Sequence, residues 1–106
     1  MKVFISQPMK DKSDEQIKAE RARAIEEIKK RFLEKDVEII DSYFEDYPDS
    51  KIKHKAVNYL GMSIQKLSEA DAAYFVRGWS KYRGCQIEHL VAKQYDIPMI
   101  EEPRED

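Results

Sequence analysis

Cysteine, glycine and tryptophan are scarce in this chain: of 106 residues, one is cysteine, three are glycine and one is tryptophan. The lone Cys85 excludes an internal disulfide and makes an intracellular, cytoplasmic location the expectation. It is joined by only two histidines, His54 and His89, far apart in sequence, so no metal-ligand spacing exists and no metal is expected. The glycines form neither a Walker A loop nor a G-x-G-x-x-G turn, and no motif asks for a cofactor. No apolar run approaches the ~20 residues of a membrane span. The apolar stretch at the N-terminus, Val3 to Ile5, is too short for a signal peptide and reads as a first strand. A basic stripe is also missing. Lys and Arg number 19 against 21 Asp and Glu, for a formal charge of -2. That argues against a nucleic-acid polymer or a membrane surface as partner, but not against a small ligand carrying one phosphate.

What is present suffices for one domain over residues 1–106, with 42% hydrophobic residues for a modest core. Lys2 to Ser6 is a β-type run. Ser13-Asp14-Glu15-Gln16 has the form of a capping box, and Ile17, Ala24, Ile25, Ile28 and Phe32 make one apolar stripe of a helix running to about Lys35. Val37 to Ile40 reads as a second strand. The segment Asp41 to Lys53 is irregular and holds Tyr43, Phe44 and Tyr47; a connection of that length is a functional loop or a surface loop. A second helix covers about Lys55 to Glu69, with Val57, Leu60, Ile64 and Leu67 on one face. Ala72 to Val76 is a third strand, Gly84 to Tyr95 a third helix, and Ile97 to Ile100 a last strand that Pro98 assigns to an edge. The acidic tail from Glu101 to Asp106 is expected to fray. Alternation β-α-β-α-β-α-β means a parallel sheet covered on both faces. Right-handed crossovers then give a small flavodoxin-like three-layer α/β sandwich with strand order 2-1-3-4.

Glu88 stands out. Stepping about 100° per residue along the third helix, Cys85, Ile87, Val91, Ala92 and Tyr95 fall on one arc with Glu88 in its middle, while Gln86, His89 and Lys93 fall opposite. The carboxylate therefore points along the face that should be buried. Strand, loop, then a helix with an inward acid is an active-site layout in open α/β sheets. The plainer alternative is a carboxylate that complements the helix dipole or reaches back to water.

In order 2-1-3-4 the ligand crevice lies at the carboxyl ends of strands 1 and 3. That gathers Ser6, Gln7, Met9, Gly78, Trp79, Ser80, Tyr82, Arg83, Gly84 and Glu88, with Tyr43 as a possible wall of the pocket and Ser63 at the margin of the second helix. Asp71 belongs to the opposite edge. The free N–H groups at the third helix attract an anion, Gly78 and Gly84 allow close approach, and Arg83 adds a fork of donors. Trp79 offers a flat face to a base or sugar, or packs on the core. Cys85 is either a thiol activated by a helix start or a small packing residue.

The blocks Val3-Phe4-Ile5-Ser6-Gln7-Pro8-Met9 with Lys12-Ser13-Asp14-Glu15, and Ala70-Asp71-Ala72-Ala73-Tyr74-Phe75-Val76 with Gly78-Trp79 and Arg83-Gly84-Cys85-Gln86-Ile87-Glu88-His89, resemble the nucleoside 2-deoxyribosyltransferase-like superfamily. The resemblance is nearest to its DUF4406 group of small bacterial and phage proteins. It spans nearly the whole chain. It implies a flavodoxin-like fold, a homodimer or larger homo-oligomer, a nucleoside or nucleotide as small-molecule partner, and Glu88 as nucleophile of an N-glycosidic enzyme. Two positions depart from the active relatives. Tyr82 stands where enzymes acting on monophosphates carry a serine, and Ser63 stands where relatives carry an acid on the helix before the third strand. A non-catalytic nucleotide- or sugar-phosphate-binding module is therefore the alternative expectation, and a small interaction protein without a working pocket the third.

Overall fold

The computed structural model describes residues 1–40 and 51–103. Tyr43, Phe44, Tyr47 and the acids among them lie outside the described residues. Four strands, β1 (Lys2–Ser6), β2 (Glu38–Ile40), β3 (Ala72–Phe75) and β4 (Met99–Glu101), pair in parallel in the order β2-β1-β3-β4. Three helices connect them, α1 (Asp14–Arg31), α2 (Lys55–Leu67) and α3 (Arg83–Gln94). The class and strand order match the reading of the sequence. No helix among the described residues is long and apolar enough to cross a membrane.

Strand parity divides the core into two layers. Successive side chains of a strand point to opposite faces. Val3, Ile5, Tyr74 and Val76 pack with Ala24 and Ile28 of α1, while Phe4, Ala73 and Phe75 pack with Leu67 of α2 and Ala92 of α3. All of these are fully buried. Burying each aliphatic or phenyl side chain contributes about 1.5–3 kcal/mol. Ser6 follows Phe4 in parity, so the last residue of β1 faces the α2/α3 layer at the carboxyl edge of the sheet.

The start of α1 obeys its sequence signal. Ser13 Oγ accepts from Gln16 N at 3.1 Å, and Gln16 Oε1 accepts from Ser13 N at 2.9 Å, closing the capping box. Asp14 and Glu15 in the first turn, with Lys29, Lys30 and Arg31 in the last, complement the helix dipole. The helix ends at Arg31, one turn earlier than expected, and the chain turns through Phe32 to bring Glu38 alongside Lys2.

Two further expectations need correction. The first concerns which faces are inward. In α3 the buried residues are Cys85, Glu88 and Ala92, with His89 partly covered, whereas Ile87 and Tyr95 are exposed. The inward face thus follows positions 85, 88, 89 and 92, the i, i+3, i+4, i+7 set. The apolar Ile87 and Tyr95 had drawn the expected arc too far to one side. His89 belongs inside because its ring stacks on Trp79 at 3.9 Å and meets Phe75 edge-on at 4.8 Å. Val57 of α2 is exposed as well, although Leu67 on the same expected face is fully buried.

The second concerns the tail. Glu102 is buried, not frayed. Its N–H donates to Phe75 O at 2.9 Å, continuing the sheet past β4. Its carboxylate takes both arms of Arg23 of α1, at 2.7 and 3.0 Å, and Arg77 N at 3.3 Å. Tyr74 Oη lies 3.3 Å from the same carboxylate and donates to Glu27. Burial, then the hydrogen bond to Glu27 and the charge of Glu102, push the Tyr74 hydroxyl far above its ordinary range, so it stays a donor. Burial alone would raise Glu102, but Arg23 and Arg77 together outweigh it and hold the carboxyl below its ordinary value. A carboxylate with a lowered folded pKa stabilises the fold above its unfolded value and loses that contribution as pH falls. Glu102→Gln is therefore expected to cost about 1–2 kcal/mol at pH 7, a value discounted for solvent at the half-exposed Arg23. The difference from wild type, read from urea midpoints, should shrink as pH drops below the ordinary value of 4.5.

Candidate active site

Three elements converge on Glu88. It is the sixth residue of α3 and is 7% exposed. Ser6 Oγ, from the end of β1, donates to its Oε1 at 2.7 Å. Ser63 Oγ, from α2, donates to its Oε2. A carboxylate oxygen has two lone-pair sites, so each still has one to offer. Burial raises the pKa of Glu88, and the hydrogen bonds from Ser63 and Ser6 oppose this without cancelling it. The helix N-terminus is not among the causes that act on Glu88. The dipole acts within the first turn, and Glu88 lies in the second.

Glu88 lines a hollow of about 540 Å³ at the carboxyl edge of the sheet, inside the roughly 300–1,000 Å³ range of small-molecule sites. Its walls come from both sides of that edge: Gln7, Met9 and Lys10 after β1, Ala56, Tyr59, Leu60 and Ser63 of α2, and Arg83, Gly84 and Cys85 of α3. A second hollow of about 570 Å³ adjoins it and shares Gln7, Met9, Lys10, Arg83, Gly84 and Cys85. This one is also lined by Pro8, Asp11, Lys81 and Tyr82. One half is thus walled by α2 and holds the carboxylate. Lys10 and Arg83 line both halves, and the other half adds Lys81 and Asp11 beside the N-terminus of α3, where backbone N–H groups favour anions.

The structure brings Ser6, Gln7, Met9, Ser63, Tyr82, Arg83, Gly84 and Glu88 together around these hollows or on Glu88 itself. Gly78, Trp79 and Ser80 stand apart from the residues lining either one. Gly78 has φ 92° and turns the chain into a single 3-10 turn, Trp79–Lys81. Trp79 spends one face of its ring on His89 and leans on Phe75 at 5.7 Å, so its surface serves the core. Ser80 accepts from Gln86 through its carbonyl. Tyr43 lies outside the described residues. Cys85 is a packing residue rather than an activated thiol, because burial pushes it up to about 11.

Ala56, Tyr59 and Leu60 escaped the reading of the sequence. A signal for them existed. They lie seven, four and three residues before Ser63, the spacing that shares one helix face. Placing Ser63 at the site places all three with it.

A buried acid with a raised pKa opposes folding when ionised. Below its unfolded pKa no such penalty exists; it grows as pH rises toward the folded value and is then constant. Glu88→Gln keeps the shape and two hydrogen-bonding positions without the charge. Its melting temperature should equal or exceed that of wild type at pH 7–8, and the gain should vanish in acid. A variant less stable than wild type at pH 7–8 but not in acid would mean that the charge supports the fold.

Comparison with known sequences gives one result. A family model described as "Domain of unknown function (DUF4406)" matches residues 1–101. No curated protein and no solved structure matches the chain. The match runs from the first strand through the whole of β4 and takes in Ser6, Ser63 and Glu88, so the chain belongs to the DUF4406 family.

Proposed function

We propose that this protein is an N-glycosidic bond enzyme of the nucleoside 2-deoxyribosyltransferase or deoxynucleoside hydrolase type, with Glu88 as nucleophile. The observation that carries the reading is the Ser6–Glu88–Ser63 cluster. It is a nearly buried carboxylate, gripped at both oxygens, that lines a hollow at a parallel sheet's carboxyl edge. The resemblance to the superfamily supports the same assignment and carries with it a homodimer or larger assembly, which sedimentation at micromolar concentration tests.

The chemistry follows retaining glycoside hydrolysis. A Glu88 oxygen attacks C1′ of the deoxyribose as the C1′–N bond breaks. The bonding pair leaves with the base nitrogen, which takes a proton. The glycosyl ester on Glu88 is then opened by water, which regenerates the carboxylate, or by the nitrogen of a second base. The serines fix the carboxylate in one orientation, which lowers the entropic cost of attack. Glu88 is the only acid among the described residues of its hollow, and Asp11 lines the adjoining one. A reaction without a placed proton donor is slower by roughly 10²- to 10⁴-fold.

One observation favours a second reading, a nucleotide- or sugar-phosphate-binding module without turnover. Glu88 is both hydrogen-bonded at each oxygen and biased toward its neutral form by burial. A single experiment separates the two. The protein is mixed with pooled deoxynucleosides and their 5′-monophosphates, and base release and a deoxyribosyl adduct on Glu88 are followed by mass spectrometry. The enzyme reading expects both, and expects Glu88→Gln to abolish both while the fold persists. Binding without either supports the module.

The pH profile supplies a further prediction. The nucleophile works only when ionised, so the rate should rise with pH through a value above the ordinary 4.5 of a carboxyl. Ser63 opposes the upward shift, so Ser63→Ala should move that limb to still higher pH. A limb that stays in place in the variant would deny Ser63 this role.

A further inference from the structure

Gln7 holds an acceptor that the described residues leave unused. The residue is 7% exposed, so its amide is withdrawn from bulk water. Its Nε2 donates to Ile17 O of α1 at 2.6 Å. That bond fixes which way the amide lies, because the flipped form would set two oxygens against each other. Oε1 then points away from the Ile17 carbonyl. Among the described residues it is a buried side-chain oxygen with no hydrogen-bond partner. Buried polar groups left unpaired are rare and costly, and ask for a reason. Gln7 is also one of the residues shared by both hollows, standing where the half walled by α2 meets the half lined by Lys81 and Tyr82. Glu88 enters from the α2/α3 layer and Gln7 is anchored on the α1 layer, so the two side chains reach the sheet edge from opposite sides.

We infer that Gln7 is a specificity-determining residue, whose carbonyl oxygen accepts a hydrogen bond from an uncharged O–H or N–H donor on the ligand bound beside Glu88. The inference rests on the nucleoside reading above and deepens it. An acceptor of fixed direction admits a hydroxyl or an amino group, and disfavours a phosphate or carbonyl oxygen at the same point. On a deoxynucleoside the donor is a sugar hydroxyl or the exocyclic amine of the base. The penalty falls on a ligand that lacks the donor, because the oxygen then stays unpaired in the complex as well.

The test compares 2′-deoxyadenosine with three analogues that each lack one donor: 2′,3′-dideoxyadenosine, 2′,5′-dideoxyadenosine and purine 2′-deoxyriboside. The readout is kcat/KM where base is released and Kd by calorimetry where it is not. In the wild-type protein one of the three losses should weaken the ligand about five- to tenfold. In Gln7→Met that same loss should matter less than about twofold, and the analogue affected names the sugar or the base as the source. Intrinsic differences in bond lability cancel, because each analogue is compared across the two proteins. Equal penalties in both proteins, or none in the wild type, overturn the inference. Should Gln7→Met fail to fold, the unaltered protein answers through the Gln7 side-chain amide resonances. These should shift more with 2′-deoxyadenosine than with one analogue, and equal shifts with all four ligands overturn the inference. Donor-dependent binding without base release removes the glycosidic reading and leaves Gln7 in its role. Base release with no dependence on Gln7 does the reverse, and neither binding nor release removes both.

Discussion

The carboxylate of Glu88 is the constraint around which the α2/α3 side of this molecule is arranged. A buried charge is tolerated only when hydrogen-bonded. Here the two donors come from two other elements, Ser6 from the end of β1 and Ser63 from the middle of α2. The three side chains therefore tie a strand and two helices together at one point. Each participant depends on a simple regularity. Ser6 faces this layer because Phe4 does. Ser63 faces it because it lies one turn before Leu67, which is fully buried against the sheet. Glu88 faces it because Cys85 and Ala92 do. Loss of either serine leaves a Glu88 oxygen without that donor, and loss of Glu88 leaves both serines without their acceptor, in a place that water scarcely reaches.

The opposite layer has a polar device of a different kind. Glu102, two arginines, Tyr74 and Glu27 fasten the end of the sheet to α1. The two acids make a useful contrast. Arg23 and Arg77 together overcome the burial of Glu102 and keep it charged, whereas neutral serines leave burial dominant at Glu88. Positive charge against the carboxylate makes a fastening. Neutral donors order the carboxylate without neutralising its charge.

The parts of this arrangement legible in the sequence are those set by local periodicity. The strand order follows from alternation and crossover handedness. The capping box of Ser13 and Gln16 places the start of α1, and Glu88 betrays itself by sitting among apolar neighbours. Less legible were features that depend on which distant residue lies opposite. Nothing local to Glu102 distinguishes it from the acids around it, and its burial depends on Arg23, 79 residues earlier. His89 reads as a surface residue until Trp79 is set against its ring. Trp79 in turn reads as a ligand platform until His89 is found occupying it. Tyr59 and Leu60 were within reach, since the helical repeat links them to Ser63, but their apolar character suggested core rather than pocket wall.

The stacking of Trp79 on His89 has a practical consequence. It is the only indole in the chain, and it lies flat against the residue next to Glu88. Indole emission responds to whatever touches its ring and to small changes in that contact. A displacement of the second turn of α3 reaches the chromophore through one peptide unit. The protein thus carries its own optical gauge beside the buried carboxylate, readable in solution without any label.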